Sequence, residues 1–186
     1  MVPAAKSKKG SSRKGPSSHP LGRSELPKHF VVTGYIVEEG RVLLLFHQKL
    51  QKWLPPGGHI EASEDPLRAL VREVWEETGY LVQPIAGWDR EGWEEGVHVL
   101  PTPHQVQVET IDGKHEHIDL VYHCQIVGGS LQGNAESREL RWFGPRDLLE
   151  IPLGNNVRHY AQRAIDRWRD GERDRTRLAK AVRTSG

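Results

Sequence analysis

The chain has 186 residues, with 26 Lys+Arg against 25 Asp+Glu, ten His and one Cys, for a formal net charge of +1. That length suits one domain with a core of its own, and a single Cys excludes a disulfide framework or a multi-Cys zinc module and fits a reducing, cytoplasmic setting. No apolar stretch approaches the roughly 18 residues of a membrane span, and the charged N-terminus lacks the apolar stretch of a secretory signal.

The first segment in chain order, Met1 to Pro27, is rich in Ser, Gly and Pro and carries six basic residues against one acid, Glu25. It has too few apolar groups to offset the entropy of ordering, so residues 1–27 read as a basic disordered tail. Any contact of the chain with nucleic acid belongs to this tail. Residues 28–168 hold 14 basic and 21 acidic residues and form the folded body; residues 169–186 hold six basic and three acidic residues and form a charged C-terminal extension.

Within the body, Phe30–Val37 and Arg41–His47 are β-rich runs separated by Glu38, Glu39 and Gly40, a hairpin pattern. Pro55, Pro56, Gly57 and Gly58 then open a loop. From Asp65 to Thr78 the apolar residues Leu67, Leu70, Val71, Val74 and Thr78 recur every three or four positions, predicting a helix. Asp65 suits its N-cap, Pro66 its first turn and Gly79 its C-terminal stop. Ile118 to Val127 alternates, with Ile118, Leu120, Tyr122, Cys124 and Ile126 on one side of a strand that buries the thiol, and Glu139–Phe143 is a second short strand. Val157, Tyr160, Ala161, Ala164, Ile165 and Trp168 again have helical spacing. Strands and helices in this order predict an α/β or α+β layered domain.

The helix from Asp65 to Thr78 carries an electrostatic conflict. With Glu73 taken as zero, Glu77 falls at roughly +40° and Glu76 at roughly −60°, beside the apolar stripe at roughly +60° to +160°. Like charges at these spacings cost about 0.2–0.5 kcal/mol per pair. The C-terminal half of a helix disfavours anions by a further 0.3–1 kcal/mol or so. A bound divalent cation removes the conflict, and carboxylate oxygens with a backbone carbonyl suit Mg²⁺ or Mn²⁺. Arg72, four residues before Glu76, offsets part of the charge and can orient a carboxylate.

These residues lie in a larger pattern. Gly58, five residues, Glu64, seven residues, then Arg72, Glu73, Val74, Trp75, Glu76, Glu77, Thr78, Gly79 and Tyr80 resemble the Nudix hydrolase box, with every fixed letter present. Seven fixed residue types at about 5–7% each give a chance match on the order of 10⁻⁸ to 10⁻⁹ per start point. The one departure is Tyr80, where the family usually has an aliphatic residue. The resemblance implies an α/β/α sandwich with a mixed β-sheet and a catalytic loop-helix-loop. It implies a hydrolase of the diphosphate linkage in nucleoside diphosphates joined to another moiety, with Mg²⁺ or Mn²⁺ as cofactor. It assigns Glu73 and Glu77 as the leading metal ligands, with Glu76 and the Gly58 carbonyl beside them. The general base in the family is either a box glutamate, here Glu73, or an acid in a loop before a late strand. Glu136, six residues before Trp142, matches that loop acid, with Glu139 the next choice.

Around the box, His47 and His59 are placed to contact phosphate, and Trp53 either stacks on a base or packs in the core. His115 and His117 form a His-Glu-His triplet whose side chains point one way in a strand. No Cys or third His stands at a spacing diagnostic of zinc, so the triplet reads as substrate-facing or as a surface loop. Substrate-selecting loops are expected over Gly87 to Lys114. The expected partner is a nucleotide-type small molecule, with no membrane contact, in a monomer or homodimer. Two other functions fit the sequence: an RNA 5′-end pyrophosphohydrolase that uses the basic tail, and a non-catalytic nucleotide sensor. The second is disfavoured by the intact glutamates.

Overall fold

The computed structural model describes residues 25–85, 94–132 and 137–184, with backbone alone for 137–138 and 174–184. The expected tail up to residue 24, and Glu136, lie outside the described residues. In chain order the elements are β1 (Lys28–Glu38), β2 (Arg41–His47), β3 (Lys52–Leu54), β4 (Gly57–His59), α1 (Pro66–Thr78), β5 (Tyr80–Pro84), β6 (Gln105–Thr110), β7 (Glu116–Gly129), β8 (Ser137–Phe143), α2 (Asp147–Glu150) and α3 (Asn155–Thr184). No helix among the described residues is long and apolar enough to cross a membrane.

The β1–β2 hairpin forms as expected, with Val37 opposite Val42 and Glu38 opposite Arg41. Its turn places Glu39 at φ 49° and Gly40 at φ 70°, the pair of positive values whose twist matches flanking strands. The eight strands make one mixed sheet. β1 runs parallel to β7, while β2 and β4 pair with β1 antiparallel. β5 and β6 flank β7, and β3 and β8 flank β2, all antiparallel.

Strand alternation builds the layers. Even-numbered β1 residues Val32 and Ile36, with Tyr122 and Cys124 of β7, pack against Ala69, Leu70 and Val74 of α1. Odd-numbered Tyr35 and Val37, with Val42, Leu44, Val121 and Phe143, pack against Ala161, Ala164 and Ile165 of α3. The result is the expected α/β/α sandwich. Leu70, Val74 and Ile165 are fully buried, each contributing about 1.5–3 kcal/mol relative to exposure. Burial also pushes the Cys124 thiol well up, so it is a packing group and not a nucleophile.

α1 has the predicted ends. Asp65 Oδ1 accepts from the backbone N–H groups of Leu67 and Arg68 at 2.9 and 3.0 Å. Gly79, at φ 72°, donates its N–H to the Trp75 carbonyl, a left-handed stop that favours glycine. One detail of the helical face differs from the periodicity. Ala69 is buried, whereas Leu67 and Val71 are half-exposed and border a surface groove of about 460 Å³ with Trp75 and Leu81. The helix is rolled toward its glutamate side, which brings Ala69 inward and lifts Val71 out.

Four strands went unread in the sequence. The Pro55–Gly58 segment, expected as a loop, ends in β4, where Gly57, Gly58 and His59 pair with Thr33, Val32 and Val31. β3 and β5 are too short for alternation to register. β6 lies inside the region expected to be loop, and its Val106 and Val108 remain exposed. α3 continues past Trp168 through Thr184.

Candidate active site

The loop before α1 and the helix itself meet at Arg72. Its Nε and Nη2 donate to both oxygens of Glu64 at 2.7 and 2.8 Å, a fork-to-fork pair. Nη1 donates to Glu73 Oε1 at 2.8 Å and Glu76 Oε2 at 3.4 Å, and Nη2 also reaches the His59 carbonyl at 3.1 Å. These hydrogen bonds raise the Arg72 pKa still further and hold the Glu64 carboxyl below its ordinary range. One guanidinium therefore ties two helix carboxylates to the loop that follows Gly58.

The helix needs this tie, because its last turn has no basic residue. Glu73 and Glu77 are half-buried and Glu76 is exposed. The Gly57 N–H donates to Glu77 Oε2 at 2.9 Å. A Cβ at Gly58 would lie 2.5 Å from Cδ and Oε1 of Glu73, so only glycine leaves that carboxylate in place. Glu73 thus lies against Gly58 and Glu77 on the Gly57 N–H, while Glu76 joins them only through Arg72. The donor chemistry of these carboxylates fits a hard divalent ion such as Mg²⁺ or Mn²⁺.

The other predicted residues are distributed more widely. Trp53 packs edge-to-face on Phe46 and Phe143, with ring centroids 5.3 and 4.8 Å away, and leans on the α3 side of the core. His47 Nδ1 accepts from the Leu50 N–H at 3.3 Å and closes the turn after β2. Glu139 is exposed on β8, and Tyr80 packs against the α1 side of the core. His59 is exposed on β4, and its ring meets His117 at 4.9 Å and His29 at 5.6 Å. The third and fourth histidines missing from the linear spacing around His115 and His117 therefore come from β1 and β4. Burial and the imidazoles of His59, His115 and His29 push His117 down to about 4.

Further along the same sheet face, titratable groups are buried under α3. Asp119, beside Thr33 and Gln107, is raised to about 6 by burial. His123 stacks on His104 with centroids 3.9 Å apart, and its two ring nitrogens are buried without hydrogen bonds among the described residues. Burial, His104, Arg167 and Arg163 push His123 down to about 3, and burial with the same arginines pushes His104 to about 4. Both imidazoles are neutral in the fold but charge readily once unfolded, so they destabilise the protein as pH falls below 6.5. Asp119 acts in the opposite sense between 3.8 and about 6, but the two histidines outweigh one carboxyl. His123→Phe, which removes the unsatisfied nitrogens, should therefore add about 2 kcal/mol more stability at pH 5 than at pH 8. Thermal melts at the two pH values read this directly, and an equal change at both would refute the assignment.

The chain also matches known proteins. A NUDIX domain family model covers residues 27–164. A MutT-like protein from Streptomyces ambofaciens is 29% identical over 140 residues, which is 72% of this chain and 75% of that protein. A probable DHNTP pyrophosphohydrolase from Lactococcus lactis subsp. cremoris is 28% identical over 116 residues, or 62% of this chain and 60% of that protein. The crystal structure of a NUDIX-family hydrolase from Clostridium perfringens superposes with a TM-score of 0.69 at 33% identity, across 76% of this chain and 98% of that one. Sequence, sandwich and loop-helix geometry agree: the chain belongs to the Nudix hydrolase family, enzymes that act on nucleotide diphosphate derivatives.

Proposed function

We propose that the protein is a Mg²⁺-dependent pyrophosphohydrolase cleaving the diphosphate linkage of a nucleoside triphosphate or a nucleoside diphosphate joined to another group. The observation that carries this reading is the Arg72 fork holding Glu64, Glu73 and Glu76 against a glycine loop that also binds Glu77. Glu73, Glu77, Glu76 and the Gly58 carbonyl would hold the ion. When bound, it withdraws charge from phosphate oxygens and acidifies a water.

The protein's own part is positioning and charge placement. Arg72 holds Glu64, Glu73 and Glu76 on one guanidinium and neutralises the repulsion that would splay them. Gly57 and Gly58 let the loop pack directly on β1 and on the Glu73 carboxylate, because Val32 and Glu73 occupy the space a side chain would need. The proton of the attacking water passes to a carboxylate, Glu73 or the loop acid Glu136, as the bridging P–O bond breaks. The complete carboxylate set favours catalysis over nucleotide sensing. The relative named for DHNTP puts triphosphates first among substrates to try.

The test is a hydrolysis panel with Mg²⁺ in ¹⁸O-water: triphosphates including oxidised ones, dinucleoside polyphosphates, ADP-ribose, nucleotide sugars and 5′-triphosphorylated RNA. The expected result is a nucleoside monophosphate with pyrophosphate or a second phosphorylated product, the label on phosphorus and the rate lost with EDTA. Absence of any phosphate-containing product across the panel would remove the reading.

A further inference from the structure

We propose that His29, His59 and His117 form a binding site for a divalent transition-metal ion, with zinc the best match, on the face of β4 opposite the box carboxylates. Sheet register builds this site. His29 of β1 lies directly beside His117 of β7, and Val31, two residues on, lies opposite His59 of β4. Residues two apart on a strand share a face, so three strands deliver their imidazoles to one spot.

The distances fit that placement. One ligating atom from each of the three histidines lies within 4.8 Å of the others. Zinc–nitrogen bonds of about 2.0–2.1 Å need the nitrogens closer than this, and His29 and His59 are exposed, with room for their rings to rotate inward. His117 Nε2 is buried with no hydrogen-bond partner among the described residues. An unsatisfied buried nitrogen costs about 1–3 kcal/mol, and a metal bond removes that cost. His115 stands 5.1 Å from both His29 and His117, ring to ring, and its Nδ1 meets Asp112 Oδ1 at 3.2 Å. A carboxylate on one ring nitrogen fixes the ring and leaves the other nitrogen to face an ion, so His115 is a fourth ligand in reserve.

Donor chemistry separates this site from the box. Imidazole suits zinc, nickel, cobalt and copper, whereas clustered carboxylates and carbonyls suit magnesium and manganese. Consecutive strand residues point to opposite faces, so Gly58 turns toward Glu73 while His59 turns away from it. Three protein ligands also leave one position open. His29 and His59 also rim a surface groove of about 710 Å³ whose other walls include Phe30, Ile60, Glu61, Pro66 and Leu120. The inference does not depend on the hydrolytic reading.

The experiment uses the full chain without a polyhistidine tag, stripped by chelator, in a Glu73→Gln/Glu77→Gln background that disables the carboxylate site. Zn²⁺ is titrated by calorimetry and Co²⁺ by visible absorption. The expected result is one ion per chain, a Co²⁺ spectrum with nitrogen ligation, and Zn²⁺ affinity falling at least tenfold on adding His29→Ala or His117→Ala. Unchanged affinity in both histidine variants would overturn the site, as would loss of all Zn²⁺ binding in the carboxylate background alone. Circular dichroism checks folding; if His117→Ala unfolds, His29→Ala at its exposed position carries the decision.

Discussion

Glu77→Gln should lower kcat by a factor on the order of 10²–10³, the scale of removing one preorganised charge-stabilising group, while the fold stays intact. The structure explains why the two effects separate. Glu77 Oε2 accepts the Gly57 N–H at 2.9 Å, and the amide oxygen of Gln can still accept that bond, so the loop keeps its position. What is lost is the negative charge that would hold a divalent ion. Steady-state hydrolysis over a range of Mg²⁺ concentrations, beside a thermal melt, is the measurement. Turnover near wild type would remove Glu77 from the catalytic set, and a collapse of the melting temperature would mean that its role is structural.

Gly58→Ala tests the same centre by geometry without altering any charge. The added methyl would sit 2.5 Å from Cδ and Oε1 of Glu73 and 2.7 Å from Oε2, well inside contact distance. Only the end of a flexible side chain needs to move, so the stability cost should be about 1 kcal/mol, the centre of the range for single substitutions. The carboxylate, however, swings off its bond with Arg72. Misplacing a reacting group by about 1 Å can cost roughly 10²-fold in rate, and kcat/KM should fall on that scale with little change in Tm. Full activity in Gly58→Ala would show that the position of Glu73 is irrelevant to turnover.

The sequence revealed most where structure is local. The helix Pro66–Thr78 announced itself because Asp65, Pro66 and Gly79 act within a few residues of where they stand, and the carboxylate face followed from helical geometry alone. The hairpin at Glu39–Gly40 was legible for the same reason. The pairing of Arg72 with Glu64 follows from the docking of the loop on the helix, which periodicity does not encode. Nor does it encode the roll of α1, which only packing against the sheet determines. β4 was hidden because two glycines carry no strand propensity, yet its ladder with β1 places Gly58 and His59 on opposite faces. The histidine group was the least legible feature. Its members lie on three strands, and the motif near His117 looked incomplete until register supplied His29 and His59.

The parallel pairing of β1 with β7 carries a consequence for how the protein comes into being. It joins segments roughly 90 residues apart in the chain, and contacts that distant must overcome loop-closure entropy before they contribute any stability. The hairpin and the capped helix can form early from neighbouring residues, but β1 then has an open edge until β7 arrives. Docking of that late strand seals the edge, buries Tyr122 and Cys124 under α1 and sets His117 beside His29 in one event. A nascent chain halted before β7 would therefore present the carboxylate helix without a closed sheet behind it, and an open β1 edge is the kind of surface that pairs with other chains.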